Sequence, residues 1–271
     1  MNGEIKRVLR LGLLGKDVRK SESEKIHAFI LGEFGVGLEY ERVSVTESEV
    51  DGEIKRFMRE KDGFNVTIPY KATVRQYLTS ETAEAALLNS VNTVVTATAA
   101  GYNTDGIGFS LMLETAGIDP NGKTALILGI GGAGRSTALA LKNAGARVFA
   151  YRRNRSELEK ICATLGIEAA NDPERENYEI LVNCTGVGMH ETEGISPLSE
   201  AAIARAKILI DLIYRPAESE FLRLGRAQGK RTLNGAAMLF YQAYYADCIY
   251  LGKTPDPTVA AALYEKYLCK E

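Results

Sequence analysis

The chain has 271 residues, 45% of them apolar and 25% charged, with a formal net charge of −2. That length suffices for two modest domains and a substantial core. The near balance of charge argues against nucleic acid as the main partner, since a DNA-binding domain normally shows a basic excess on one face. With only His27 and His190 a histidine-rich metal site is excluded, and the scattered cysteines (Cys162, Cys184, Cys248, Cys269), without a C-x-x-C pair, read as small buried thiols in a reducing compartment. Met1 to Lys6 lacks an apolar leader and no run of about 18 apolar residues occurs, so a soluble cytoplasmic protein is expected.

Along the chain, Val8 to Leu14 reads as a buried strand, followed by a polar loop and a helix from Glu22 to Phe34 that stops at Gly35. His27 has helical spacing with Ile26 and Ile30 and is expected on a helix face. Leu38 to Val45 is a second strand and Glu49 to Arg59 an amphipathic helix. Phe64 to Ile68 is a short strand broken at Pro69, with a helix beginning near Tyr70. Asn92 to Thr98 is a β-branched strand that leads into Gly101-Tyr102-Asn103-Thr104-Asp105-Gly106 and a helix ending around Ala116. Turn chemistry at Asp119-Pro120-Asn121-Gly122-Lys123 marks a break. A second βα series follows: strand Thr124–Leu128, helix Ala133–Asn143, strand Arg147–Tyr151, helix Glu157–Leu165, and strands Ile180–Cys184 and Ile208–Ile213. Two helical patterns, Gly235–Leu251 and Pro257–Leu268, end the chain. This alternation predicts an α/β fold with largely parallel sheets.

Gly129-Ile130-Gly131-Gly132-Ala133-Gly134 lies between an apolar strand and an alanine-rich helix. In such a G-x-G-x-x-G loop the first glycine makes the turn, the second lets backbone approach a pyrophosphate, and the third allows close helix–strand packing. The helix N-terminus supplies N–H groups and partial positive charge. A dinucleotide is the expected ligand; a glycine-rich βα turn without ligand is the bland alternative. About twenty residues on, where an NAD enzyme carries an acid for the ribose 2′-hydroxyl, stands Tyr151-Arg152-Arg153-Asn154-Arg155. Guanidiniums suit a 2′-phosphate, and cations are disfavoured beside a helix N-terminus unless a ligand compensates them. NADP is therefore expected rather than NAD, against the alternative of a solvated basic face.

Lys71 follows Pro69 where a helix is expected to start, a place that would depress an ammonium pKa and suit it to proton transfer. By itself it equally reads as a surface lysine, and Asp105 as a turn residue. Their neighbours alter that balance. Asn65-Val66-Thr67-Ile68-Pro69-Tyr70-Lys71, Val91-Asn92-Thr93, Gly101 to Gly106, Gly129 to Gly134, Val182 to Met189, Asp211-Leu212-Ile213-Tyr214, and Asn234-Gly235 through Gln242 together strongly resemble the shikimate dehydrogenase family in order and approximate spacing, from Gly12 to about Gly252.

The resemblance implies a two-domain α/β fold: residues 1–106 and 237–271 as a substrate-binding and catalytic domain, and 107–236 as a Rossmann-type doubly wound NADP domain. It implies Lys71 as the catalytic lysine with Asp105 as its dyad partner. Asn92, Asp105 and Gln242 would bind ring hydroxyls. Ser21, Ser23, Thr67 and Tyr214 would line the substrate site, the serines facing a carboxylate. Gly129, Ile130, Gly131, Gly132 and Ala133 would cradle the pyrophosphate, Arg152 and Arg153 would lie near the 2′-phosphate, and Leu212 and Gly235 beside the nicotinamide. No metal is implied. The family reaction is the reversible reduction of 3-dehydroshikimate to shikimate with NADPH, a step towards chorismate. The partners implied are this small-molecule substrate and, at most, a second copy of the chain.

The chain departs from the family pattern in places. The usual Gly-x-Pro-Val-x-His-Ser-Leu-Ser-Pro loop is here Gly15-Lys16-Asp17-Val18-Arg19-Lys20-Ser21-Glu22-Ser23-Glu24. Both serines remain, but Ser21-x-x-Glu24 is equally a capping-box pattern. For the usual Asn-Arg-Thr, Arg152-Arg153-Asn154 and Asn154-Arg155-Ser156 compete, the first favoured by its distance from Val148. Gly186 stands where a proline is common. A quinate/shikimate dehydrogenase of broader substrate and cofactor range is the alternative reading. A non-catalytic nucleotide-binding regulator is a remote one, against which the joint retention of Lys71, Asp105, Asn92 and Gln242 argues.

Overall fold

The apolar run at the start of the chain becomes the strand on which the first sheet is built. In the computed structural model, which describes residues 7–270, β1 (Val8–Gly15) pairs in parallel with β2 (Gly37–Ser44) along its whole length and with β3 (Gly63–Val66) at Leu13 and Leu14. Met1 to Lys6, read above as lacking an apolar leader, lies outside the described residues. Between these strands run α1 (Ser23–Glu33) and α2 (Val50–Glu60). Beyond β3, the chain forms a short 3₁₀ turn at Thr73–Tyr77, then β4 (Ser80–Glu81), α3 (Ala83–Leu88), β5 (Thr93–Val95) and β6 (Ala100–Tyr102). The sheet order is β2-β1-β3-β5-β6-β4, and the β3–β5 and β5–β6 pairs are antiparallel.

Leu14, Val66, Ile54, Phe57 and Phe64 pack in one core under α2, with Phe57 and Phe64 edge to face at 5.4 Å. Leu9, Leu11 and Leu31 pack in a second core. These residues, up to Gly108, belong with those from Leu239 onward to one unit; Phe109–Met238 form another. α4 (Asp105–Thr115) carries the chain into the second unit.

The second unit holds β7 (Thr124–Leu128), α5 (Gly132–Asn143), β8 (Arg147–Tyr151), α6 (Arg155–Leu165), β9 (Glu168–Ala169), β10 (Ile180–Asn183), α7 (Glu200–Ala204), β11 (Ile208–Asp211), α8 (Glu220–Ala227) and β12 (Arg231–Leu233). All its strand pairs are parallel, in the order β12-β11-β10-β7-β8-β9. Numbered within the unit this is 3-2-1-4-5-6 read from the β9 edge, the doubly wound dinucleotide-binding order, whose ligands bind at the strand carboxyl ends where the order reverses. Here the reversal falls between β7 and β10. α9 (Ala236–Leu251) and α10 (Pro257–Leu268) complete the chain, α10 capped by Asp256, whose carboxylate accepts from the Thr258 and Val259 N–H groups, with Pro257 in its first turn.

Two expectations are corrected. No α-helix begins near Tyr70: Tyr70 N–H closes a turn on Thr67 O, its hydroxyl donates to Val45 O at 2.9 Å, and Lys71 O accepts from Val91 N–H. These tertiary bonds hold the segment as a turn, so the helix-dipole argument for Lys71 does not apply. The expected strand Asn92–Thr98 ends at Val95, because the chain reverses through a 3₁₀ turn at Thr96–Thr98 into the antiparallel β6.

Candidate active site

In the first unit, strand and helix ends bring together residues far apart in sequence. Lys71, after the Pro69 turn, and Asp105, the first residue of α4, meet with Nζ 2.5 Å from Oδ2, their side chains 13% and 7% exposed. Asp105 Oδ1 accepts from Asn92 Nδ2 at 2.8 Å. The Asn92 amide has only one workable orientation: its Oδ1 accepts from the Thr104 backbone N–H and the Thr93 hydroxyl, both at 2.9 Å, so Nδ2 must face Asp105. Gln242, on α9, is fixed in the same way. Its Nε2 donates to Leu239 O at 2.9 Å, which turns Oε1 towards Thr104 Oγ1 (3.3 Å) and Asn92 Nδ2 (3.5 Å). Asp105 N–H donates to Asn103 Oδ1, and Asn103 Nδ2 to Ser90 O, anchoring the start of α4.

The result is one ammonium, two acceptor groups and one amide donor on a rigid frame. Lys71 spends one of its N–H donors on Asp105 and keeps others for an incoming oxygen. Partial burial strengthens these electrostatics relative to water. Glu84, on α3, lies near enough to Asp105 to feel its charge; burial first, and then Asp105, raise the Glu84 pKa.

Ser21 and Ser23 lie at the start of α1, with Ser21 Oγ donating to Ser23 Oγ at 3.0 Å and accepting from Ser23 N–H at 3.2 Å. The capping box does not form: the helix is capped by Glu22 without a side-chain bond, and Glu24 pairs instead with Arg42 at 3.3 Å. Arg42, from β2, also donates to Arg19 O and Ser21 O at 3.1 and 3.2 Å, clamping a loop that lacks the family's prolines. Thr67 follows β3 at the end of β1, where its methyl packs on Gly15. His27, expected on a helix face, is fully buried and bonded to Asp247.

In the second unit the glycine loop joins β7 to α5. Gly129 has φ +86°, and a Cβ on Gly134 would collide with Gly129 O, so both positions require glycine. Gly131, the N-cap of α5, supplies no side-chain cap, and a Cβ there would meet nothing within 4 Å. The first-turn N–H groups of α5 thus open onto free space, a cradle that fits a pyrophosphate. Ile130 has its side chain buried, so only its backbone can contribute. Gly132 and Ala133 start α5. Leu212 and Tyr214 follow β11, and Gly235 is tied to them by its N–H to Ile213 O.

Arg152 and Arg153 follow β8, Arg152 half-buried in an ion pair with Glu157 and Arg153 exposed. Asn154 caps α6, accepting from Glu157 N–H at 3.2 Å. Arg155 is committed elsewhere: it donates to Glu159 (2.9 Å), Ala170 O (2.6 Å) and Asn171 (3.0 Å), holding the edge beside β9. Arg155 is thus tied to three partners, whereas Arg152 is paired with Glu157 and Arg153 is exposed. Sequence reasoning missed Arg135, in the first turn of α5. Burial lowers its pKa, and it feels both Glu157 and Arg152, which puts a further guanidinium in this cluster; its signal was a cation directly after the glycine motif. It also missed Thr93, Asn103 and Thr104, which orient Asn92 and Asp105. Among the described residues no cluster of side chains suits a metal ion, and no helix is long and apolar enough to cross a membrane.

A doubly wound nucleotide-type unit and an α/β unit bearing a lysine–aspartate pair thus define the class. A family model for the shikimate dehydrogenase substrate binding domain matches residues 13–94. Shikimate dehydrogenase (NADP(+)) of Thermus thermophilus is 34% identical over 253 residues, covering 93% of this chain and 95% of that protein. Among solved structures, shikimate dehydrogenase 1 of Peptoclostridium difficile superposes with a TM-score of 0.88 at 30% identity, over 96% of this chain and 97% of that one. Shikimate 5-dehydrogenase of T. thermophilus, in complex with NADP(H) and shikimate, gives 0.85 at 32% identity, over 95% and 99%. The chain belongs to the shikimate dehydrogenase family.

Proposed function

We propose that this protein is an NADP-dependent dehydrogenase that interconverts 3-dehydroshikimate and shikimate. The observation that carries the reading is the Lys71–Asp105 contact at 2.5 Å, ringed by the fixed amides of Asn92 and Gln242. The dinucleotide, when bound, supplies the hydride. In the reductive direction Lys71 donates a proton to the oxygen of the carbonyl as it becomes an alkoxide, and Asp105 holds the ammonium in place and balances its charge. Reversal returns the proton to Lys71. Asp105 and Gln242 Oε1 accept from ring hydroxyls, and Asn92 Nδ2, whose two protons are held by Asp105 Oδ1 and Thr104 Oγ1, gives up one of those bonds to donate to another. Ser21 and Ser23 bind the carboxylate, with Thr67 and Tyr214 completing the substrate's surroundings.

In this reading residues 1–106 and 237–271 form the substrate-binding and catalytic domain and 107–236 the NADP domain. Gly129 to Ala133 hold the pyrophosphate, Arg152 and Arg153 the 2′-phosphate, and Leu212 and Gly235 border the nicotinamide. The enzyme works in the cytoplasm as a monomer or homodimer, without a nucleic-acid partner. The test is a spectrophotometric assay of purified protein with shikimate or quinate and NADP or NAD. Shikimate with NADP is expected to give the highest kcat/KM. Equal use of quinate would assign the broader activity, and NADP binding without turnover of either would mark a non-catalytic relative.

A further inference from the structure

Two buried polar residues of the second unit have no part in this chemistry. Asn183 and Asp211 are the last residues of β10 and β11, parallel strands in which they are register partners, so their side chains stand side by side at the carboxyl end of the sheet. Both are 0% exposed. Asn183 Nδ2 donates to Asp211 Oδ1 at 3.1 Å and to Val187 O at 3.0 Å. Its Oδ1 accepts from the Thr185 N–H at 3.0 Å and the Thr185 hydroxyl at 2.6 Å, which leaves the amide one workable orientation. Asp211 Oδ1 also accepts from the Ile213 N–H at 3.0 Å, and Oδ2 from the Ser219 hydroxyl at 2.5 Å.

A fully satisfied buried network rigidifies what it touches. Apart from the bond within the pair and the one to Ser219, every side-chain bond here goes to one of two loops, Thr185–Val187 after β10 and Ile213 after β11. The loops also meet each other, since a Cβ on Gly188 would be in contact with Ile213 and Ser219. Each extends to a neighbour in the cofactor reading. The Thr185 methyl lies against Gly129 of the glycine loop. Gly235 N–H donates to Ile213 O at 3.2 Å, and a Cβ on Gly235 would collide with Leu212 O, so Gly235 is moulded onto the loop that Asp211 holds. β10 and β11 lie on one side of β7, and β8, with Arg152 and Arg153 after it, on the other. A dinucleotide laid across that reversal has its adenosine end beside β8 and its nicotinamide end over β10 and β11.

We propose that Asn183 and Asp211 are a positioning pair that fixes the two loops on which the nicotinamide end of the cofactor rests, without acting on the adenosine end. Hydride transfer is sensitive to displacements of about 1 Å, so a loosened pair lowers turnover as well as affinity. This inference rests on reading Leu212 and Gly235 as the border of the nicotinamide.

Asn183→Leu tests it, because it keeps a branched side chain of similar size and removes all four bonds of the amide. Asp211→Asn is the conservative counterpart: Oδ1 still accepts from Asn183 and Ile213, and the Ser219 hydroxyl can turn to accept from the new amide. Binding of NADP and of 2′,5′-ADP by calorimetry, kcat with shikimate, and thermal unfolding are measured on parent and variants. Asn183→Leu is expected to weaken NADP about five- to twentyfold, the worth of one or two hydrogen bonds, and to lower kcat at least about tenfold. 2′,5′-ADP, which lacks the nicotinamide, should bind within about twofold of the parent, and Asp211→Asn should recover most of the NADP affinity that Asn183→Leu loses. Should Asn183→Leu fail to fold, Thr185→Val, which removes only the loop's hydroxyl bonds to Asn183 and Val187, should weaken NADP about three- to fivefold with the same indifference to 2′,5′-ADP. Unchanged NADP binding, or equal weakening of NADP and 2′,5′-ADP as a general loosening of the unit would give, overturns the proposal while leaving the functional reading intact. A parent protein that binds NADP but does not turn over shikimate overturns the functional reading, and the comparison of the two ligands still decides whether the pair holds the nicotinamide end.

Discussion

Replacing Arg152 and Arg153 together by glutamine should remove most of the preference for NADP over NAD. Each hydrogen bond to a charged group contributes about 1.5–3 kcal/mol. Arg152 is 30% exposed, and Arg153 lies on the surface, so solvent screening reduces those values. About 2–3 kcal/mol for the pair remains, which is a roughly 30- to 150-fold loss in kcat/KM for NADP with little change for NAD. The structure adds a counterweight absent from charge counting. Glu157 already holds Arg152, so a 2′-phosphate must displace a carboxylate. Glu157→Gln should therefore tighten NADP by a few-fold without altering NAD. Arg155→Gln is the internal control: it should lower the melting temperature, because it releases Ala170 O and Asn171, and leave the cofactor ratio unchanged. The assay is kcat/KM for both dinucleotides at two salt concentrations, backed by calorimetry with 2′,5′-ADP, which needs no catalysis. If the double variant keeps its preference while Arg155→Gln loses it, the assignment of the arginines is wrong.

Lys71→Ala should lower kcat by about 10²–10⁴-fold, the usual cost of losing a positioned proton donor, while the dissociation constant for NADP, measured by fluorescence titration, stays the same. Gly131→Ala and Gly134→Ala should part company. At Gly131 a Cβ meets nothing, so the fold should keep its melting temperature while the KM for NADP rises at least about tenfold, the worth of a lost charge-assisted backbone bond; at Gly134 the added Cβ would collide with Gly129 O, so stability and NADP binding should fall together. Asp211 provides a pH prediction. Burial raises its pKa in the folded state, against the opposing hydrogen bonds from Ser219, Ile213 N–H and Asn183. Its folded form then holds a proton that the unfolded form has released, so its contribution is full below the ordinary aspartate range and is lost as pH rises through the raised value. Urea unfolding of wild type and Asp211→Asn between about pH 4 and 8 should show the wild type losing stability relative to the variant as pH rises, and a constant difference would contradict the shift.

What was legible in the sequence was what is encoded locally. The β7–glycine–α5 unit declares itself because an apolar strand, a glycine spacing and a helix N-terminus are contiguous, and the structure realises them within a residue of the expected bounds. The pairing of Lys71 with Asp105 is of another kind. The two are 34 residues apart, one in a turn and the other opening a helix, and no periodicity links them; only the motif pattern joined them. The same difference explains the errors. Pro69 ahead of a mixed segment imitates a helix start, but the Tyr70 hydroxyl on Val45 O and the Val91 N–H on Lys71 O are tertiary bonds that a local reading cannot see. β4 and β9, two residues each, and β6 and β12, three each, are too short to show alternation and exist because a neighbouring strand offers its edge. His27 makes the point most sharply. Its spacing placed it on a helix, which is right, but the direction of its ring is set by Asp247, 220 residues away, on a helix that packs there only once the chain has returned from the second unit. A buried polar pair of this separation costs loop-closure entropy and dehydration that an isolated segment could not offset, so its energetics belong to the assembled fold. The residues least legible in this chain are accordingly those whose partners lie across that return, His27 and Asp247 among them.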